Sequence, residues 1–356
     1  MFSLDSPFNS FGLDISDYSL KLAQVKRKGS KLELSLFAQM DLPAGIIIDG
    51  KISDFEAFRS KISELMNSVK SKGLSPYVVT SLPEKITYIK LLTLPQVKSD
   101  ELAKSLEAEI IKHFPYELNE IEMDYQILSE FSGQNFDQMQ ALVGVAPKDI
   151  VNQYLSALVS ASLRPVAFEI EAQAIARAII PINFDISEGL GIMDIGASRS
   201  SFIIFDRGVL NMSVSIPISG RQISEELAKR VQIPIQEAEE LKRKCGLDDS
   251  KCQGVIKEVL LGSTKALVDK IKTSIDFYYE NFPSATPIKR IFLCGGGSNT
   301  INIDKMLSEE LNLKVQRADT LINIDGKSAL KFINIQNALG SATVLGLALR
   351  EHLSIL

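Results

Sequence analysis

The chain has 356 residues, 45% of them apolar and 23% charged. That is enough for two domains around a buried core, and it excludes a disordered chain or a single small module. With 39 lysines and arginines against 44 aspartates and glutamates, a net charge of -5, there is no basic excess to neutralise a phosphate backbone, so no nucleic-acid partner is expected.

Three cysteines, Cys245, Cys252 and Cys294, are too few and too odd in number for a disulfide framework and point to a reducing compartment. The two histidines, His113 and His352, read as ordinary helix-end residues; they complete neither a zinc ligand set nor a hydrolase triad. An acid stands in the first ten residues where a secretory leader needs positive charge, and no stretch reaches 18 apolar residues. The uncharged run 337–349 is too short and too polar to span a bilayer. Phe2, Leu4, Phe8 and Phe11 suggest a leader that tucks one ring onto the body, or touches a membrane or partner.

In chain order, strands are expected over 11–25 and 31–37, then a helix with Phe55, Phe58, Ile62 and Met66 on one face, then a strand over 77–82. This is the order of an α/β layer. A different unit follows, about 80 residues long: a strand over 85–92 broken by Pro95, and a helix from Ser99 or Asp100 with Leu102, Leu106 and Ile110 in one stripe. Two more strands (123–128 and 141–146) lead to a helix from Lys148 carrying Ile150, Val151, Tyr154, Leu155, Leu158 and Val159. From Gly189 the first pattern begins again, with strands over 191–195, 201–205 and 209–216 and a turn at Asp206-Arg207-Gly208. Helices are expected over 223–230, 235–244 and 255–282, a buried strand over 289–293, and a last helix over 337–353.

The repeat is the informative feature. Phe11-Gly12-Leu13-Asp14-Ile15-Ser16 can be laid on Gly191-Ile192-Met193-Asp194-Ile195-Gly196. Asp-Ile before a turn is common chemistry, but both copies are followed by two further strands and then helices, which suggests duplicated halves across a cleft. Facing turns of this kind expose backbone N–H groups to an anion. A carboxylate at each strand end repels phosphate yet can hold Mg²⁺ through its water, which is the reading for Asp14 and Asp194. Gly196 permits close backbone approach, Ser198, Ser200 and Ser201 offer hydroxyls, and Lys21 can reach phosphate from the far side. Gly295-Gly296-Gly297 after a buried strand reads either as close approach to a purine or as a plain strand-to-helix turn; it is no P-loop, because no Lys-Ser or Lys-Thr follows. Glu239 and Lys242, three apart on a helix, can clasp a ribose or form a surface pair.

The Asp14 turn, the strand end Glu169-Ile170-Glu171-Ala172, the Asp194-Ile195-Gly196 turn and the loop Cys294-Gly295-Gly296-Gly297-Ser298 resemble, in that order, the phosphate-1, connect-1, phosphate-2 and adenosine motifs of the actin-like ATPase superfamily. Within it the chain is similar to the PilM family of the type IV pilus inner-membrane platform, and more distantly to FtsA. The likeness runs from about Phe11 to Arg350. It is carried most specifically by Thr93-Leu94-Pro95, Glu107-Ala108-Glu109, Phe114-Pro115-Tyr116, Asp124-Tyr125-Gln126-Ile127-Leu128, Leu163-Arg164-Pro165-Val166 and Leu345-Gly346-Leu347-Ala348-Leu349-Arg350.

The resemblance implies an α/β, actin-like (ribonuclease H-like) fold: duplicated halves around a nucleotide cleft, with an inserted SHS2-like α+β subdomain. The first actin-like domain would comprise 11–84, 164–188 and 338–356, the insertion 85–163, and the second domain 189–337 with a small subdomain at about 226–287. It further implies ATP and Mg²⁺ with slow or no hydrolysis. Asp14 and Asp194 would serve the metal, and Ser16, Lys21, Gly196, Ala197 and Ser198 the phosphates. Glu239 and Lys242 would hold the ribose, Gly295, Gly296, Gly297 and Ser298 the adenosine, and Glu169 or Glu171 would orient water or metal.

The implied partners are the cytoplasmic tail of a PilN-like membrane protein, through it PilO, and pilus motor ATPases; the protein would be cytoplasmic, peripheral to the membrane's inner face, with homo-oligomers possible. An FtsA-like role would call for an amphipathic helix beyond the body, and a small-molecule kinase for a separate Asp base; neither stands out. One departure is visible. Where the family has Gly-Ser-Ser, this chain has Ser16-Asp17-Tyr18. A non-glycine at positive φ costs about 1 kcal/mol, and a carboxylate about 4 Å from phosphate roughly 1 to 4 kcal/mol. Unless Asp17 faces solvent or acts through a metal, nucleotide affinity should fall by roughly tenfold to a thousandfold.

Overall fold

A computed structural model of the chain describes residues 9–70, 73–95, 99–113, 116–128, 138–185, 187–282 and 285–353. The leader residues Phe2, Leu4 and Phe8 and the pair Phe114-Pro115 lie outside the described residues. Strand β1 (Phe11–Ile15) is buried along its whole length, the carboxylate-bearing Asp14 included. It pairs antiparallel with β2 (Ser19–Lys28), which turns through Gly29 at φ +61 into β3 (Lys31–Asp41). A small hairpin follows, β4 (Ile47–Ile48) and β5 (Lys51–Ile52). Its turn residues Asp49 and Gly50 both have positive φ, the conformation for which Asp-Gly is the standard hairpin signal. Helix α1 (Phe55–Val69) is capped by the Asp54 carboxylate and buries Phe58, Ile62, Leu65 and Val69, a face one step round from the expected one. Strand β6 (Tyr77–Leu82) then lies parallel to β1.

The next unit is a three-stranded antiparallel sheet, β7 (Tyr88–Pro95), β8 (Ile121–Leu128) and β9 (Gln138–Pro147), with β9 central. Pro95 does not break β7; it is its last residue, opposite Gln138, where its missing N–H costs nothing. Helix α2 (Ser99–His113) lays Leu102, Leu106 and Ile110 on the sheet. Helix α3 (Lys148–Ser160) buries Ile150, Tyr154, Ala157 and Leu158 and packs Tyr154 against Phe58 of α1, while Leu155 and Val159 face solvent. Strand β10 (Arg164–Ile170) rejoins the first sheet beside β6, and α4 (Glu171–Ile179) follows.

The second half comprises β11 (Gly189–Ile195), β12 (Ser200–Asp206) and β13 (Val209–Ile216), and then helices α5 (Gly220–Val231), α6 (Ile235–Lys244) and α7 (Val255–Asn281). Strand β14 (Ile288–Cys294), helix α8 (Ile303–Leu311) and strand β15 (Lys314–Arg317) complete it. The first sheet runs β10-β6-β1-β2-β3 and the second, read from its other edge, β15-β14-β11-β12-β13. In both, the first strand pairs antiparallel with its successor and parallel with a later strand. Asp14 stands opposite Lys21, and Asp194 opposite Ser201. The halves are therefore duplicated in topology as well as in motif.

After a short α9 (Gly326–Ala329), the helix expected over 337–353 is broken into the end of α10 (Ile335–Ala338), a 3-10 turn and α11 (Ala342–Leu349). Every residue of α11 is buried, as a helix apolar all round must be. It packs on α4, β1 and β2. Gly346 leaves no room for a Cβ against the Ala174 backbone, nor does Gly12 against Val344 and Ala348. The cysteine count gave no reason to expect a cross-link, yet Cys245 and Cys252 are joined, Cα atoms 6.0 Å apart. The chain leaving α6 doubles back through Gly246 at φ +55 and Cys252 at φ +50, which brings the two together. Cys294 is free and buried.

Candidate functional site

Three parallel strands, β10, β6 and β1, end at one edge of the first sheet and deliver Glu171, Glu84 and Ser16 to the same place. The parallel pair β11 and β14 delivers Gly196 and Gly295 from the second. Ligand sites in α/β sheets form at such carboxyl ends. Between them lies a cavity of about 110 Å³ whose lining includes Ser16, Asp17, Glu84, Glu171, Asp194 and the turn Gly196, Ala197 and Ser198. Ordinary ligand sites occupy about 300 to 1,000 Å³, so the cavity accommodates only part of a nucleotide.

Its lining is mainly acidic, with Asp17, Asp49, Glu84, Glu171 and Asp194 against Lys85 and Arg199. Burial pushes Asp194 up to about 6; the Cys294 thiol and Lys21 oppose this, and Glu84 and Asp14 reinforce it. Glu171 is raised well above the carboxylate range, by burial first and then by Asp14, Asp194 and Glu84, although the Thr343 hydroxyl donates to it at 3.1 Å. Glu84 is raised by burial against the Ser213 and Ser201 hydroxyls. Lys21 offsets part of this through Asp14, at 3.2 Å. Such crowding of carboxyls suits a cation. Among the described residues no three His, Cys, Asp or Glu side chains are grouped to ligate one directly.

The remaining residues of interest are placed as follows. Lys21 is engaged with Asp14 and lies outside the cavity lining. Glu169 is turned into the core, bonded by Arg177 and Arg350, so of the two glutamates Glu171 alone lines the cavity. Lys242 donates to Gly220 O, Ser224 Oγ and Glu239 Oε2, each at 2.7 Å, which uses all three of its protons. Glu239 accepts from Lys242 and Ser224 and keeps one partly exposed oxygen near Arg243. The pair is thus a buried brace between α5 and α6. Gly295 has φ +83, and a Cβ there would come within 2.5 Å of the Asp194 carboxylate and the Ile195 carbonyl. The loop therefore needs glycine for packing on the β11 turn, while Gly296 is open on its outer side. Ser298 is fully buried and bonds back to Cys294 O, so its hydroxyl faces inward.

Neither Ser16 nor Asp17 has a positive φ, so the expected backbone strain is absent. Ser16 instead closes the β1–β2 turn through bonds with Ser19. Asp17 does not face open solvent: it lines the cavity and accepts from Gly50 N at 3.1 Å.

Residues 12–352 match the family described as type IV pilus assembly protein PilM. The chain belongs to the PilM family. In fold it is similar to a chain of a PilM–PilN type IV pilus biogenesis complex, at 23% identity over 96% of this chain and 98% of that one, with a TM-score of 0.81. It is more distantly similar to the ethanolamine utilization protein EutJ of Carboxydothermus hydrogenoformans, at 16% identity over 96% and 89% of the two chains, TM-score 0.53. A similar match is MreB5 of Spiroplasma citri, in a structure bound to ADP, at 16% identity over 94% of each chain, TM-score 0.52. The fold is that of the actin-like ATPases.

Two features of this PilM-family site had no readable motif. Glu84 follows β6 in the plain run Leu82-Pro83-Glu84-Lys85 and gains significance only because β6 lies between β1 and β10. Tyr18 lies under the guanidinium of Arg221, 4.6 Å from its ring centroid, a contact across the cleft between residues 203 apart in sequence.

Proposed function

We propose that this PilM-family chain is a scaffold of type IV pilus assembly that holds the cytoplasmic tail of a PilN-like membrane protein on the unit formed by β7 to α3. The observation that carries the reading is a pocket of about 520 Å³ on that unit, lined by Tyr116, Glu120, Pro147, Lys148, Asp149 and Asn152. It is large enough for a short run of peptide side chains. Tyr116 meets Tyr88 edge-on at 6.0 Å, giving an aromatic wall, and in the lining Glu120 and Asp149 outnumber Lys148, a small acidic excess. Cytoplasmic tails next to a membrane span are rich in lysine and arginine, so the charge is complementary. Among the described residues no helix is long and apolar enough to cross a membrane; the partner would supply the anchor, and through it PilO and the motor ATPases.

A nucleotide is the ligand proposed for the cleft, with its phosphates at Ser16 and the turn Gly196 to Ser198 and its adenosine toward Gly295 to Gly297. Asp14 and Asp194 would hold Mg²⁺ through its water, and Glu171 would face the reacting end. Bound there, the metal and nucleotide would supply phosphoryl chemistry; Asp17 beside the phosphate turn makes fast hydrolysis unfavourable. Flotation of membranes carrying a PilN-like protein tests the scaffold reading. The chain should float with them and lose this on deletion of the partner's cytoplasmic tail; equal flotation without the tail contradicts it.

A further inference from the structure

Tyr18, which stands where the family has a small residue in the first turn, reaches the opposite lobe. Tyr18 is held on the β1–β2 turn by Leu42 N, which donates to its carbonyl at 2.9 Å. Arg221 sits in the first turn of α5, whose start is docked on the second phosphate turn: Gly220 N donates to Gly196 O at 2.9 Å and Arg221 N to Ala197 O at 3.1 Å. The Arg221 guanidinium is aimed by Glu225, which accepts from Nε at 2.8 Å, and lies 4.6 Å from the Tyr18 centroid, well within the range of a cation–π contact. Asp17, fixed by Gly50 N, and Ser198 line the same cavity. The Tyr18–Arg221 contact joins the elements that carry the two turns and so spans the cleft.

Resting on the nucleotide reading of the cleft, we propose that Tyr18 with Arg221 forms a clasp that holds the two lobes together across it. A ligand entering between the turns competes with this clasp. Tyr18 and Arg221 are positioning residues: they set how far the lobes part and need not touch the ligand.

Small-angle X-ray scattering of the full chain, paired with Mg-ADP titration calorimetry, tests this. Tyr18→Ala and Arg221→Ala should each enlarge the nucleotide-free radius of gyration and tighten Mg-ADP binding by about two- to fivefold. Tyr18→Phe keeps the ring and should match the unsubstituted chain in both measurements, which a merely structural tyrosine hydroxyl would not allow. If Tyr18→Ala fails to fold, Arg221→Ala on the other lobe reads the same contact. Unchanged scattering in the alanine variants overturns the clasp, as does a phenylalanine variant that behaves like alanine. If neither the chain nor its variants bind Mg-ADP, the nucleotide reading falls, while expansion of the alanine variants would still support the clasp.

Discussion

Glu169 accepts the two terminal nitrogens of Arg177 at 2.7 and 2.8 Å, and Arg350 bonds the same carboxylate from beyond the last helix. The cluster ties β10, α4 and the end of α11 together in the first lobe. Burial alone would push Glu169 up, but the two guanidiniums outweigh it and hold the carboxyl below its usual range. A depressed acid stabilises the fold above its unfolded pKa and loses that contribution as pH falls through the folded value. Arg177→Met should therefore destabilise the chain by about 3 to 5 kcal/mol at pH 7, because it leaves a buried charge half-paired, with the difference shrinking in acid. Denaturant titration at pH 7 and pH 3 checks both parts.

Asp194 behaves in the opposite sense. Its folded value is raised to about 6, so the native state binds the proton more tightly than the unfolded chain, and stability falls as pH rises from about 4 to about 6. Asp194→Asn should remove that slope and raise stability at pH 7 by about 1 to 3 kcal/mol. Thermal melts across this window read the slope; a slope as steep in the variant as in the parent would sink the assignment.

Gly346 is the point of closest approach between α11 and α4, with the Ala174 carbonyl where a Cβ would stand. Gly346→Ala should cost about 1 to 3 kcal/mol or more through overpacking, despite alanine's better helix propensity. An unaltered denaturation midpoint would contradict that packing.

What could be read from the sequence follows from locality. The matching turns at Asp14 and Asp194 were legible because each is a short run of apolar strand followed by turn residues, and the strands that flank them follow in the same order. The α2 stripe Leu102, Leu106 and Ile110 was legible from its period. The Asp49-Gly50 hairpin was equally local and was passed over. Glu84 and the Tyr18–Arg221 contact were not legible, because each depends on which strands lie side by side and how the lobes meet. Glu169 and Glu171 show the limit most clearly: two glutamates two residues apart, one turned to a pair of arginines and the other to the cleft, a choice made by α4 and α11 and by nothing local.

Titration calorimetry with a synthetic peptide of a PilN-like cytoplasmic tail tests the central claim most directly. The account predicts saturable binding to the intact chain, weakened about tenfold by Tyr116→Ala and by Asp149→Lys. No heat of binding from the folded, intact protein, or binding indifferent to both changes, would contradict it.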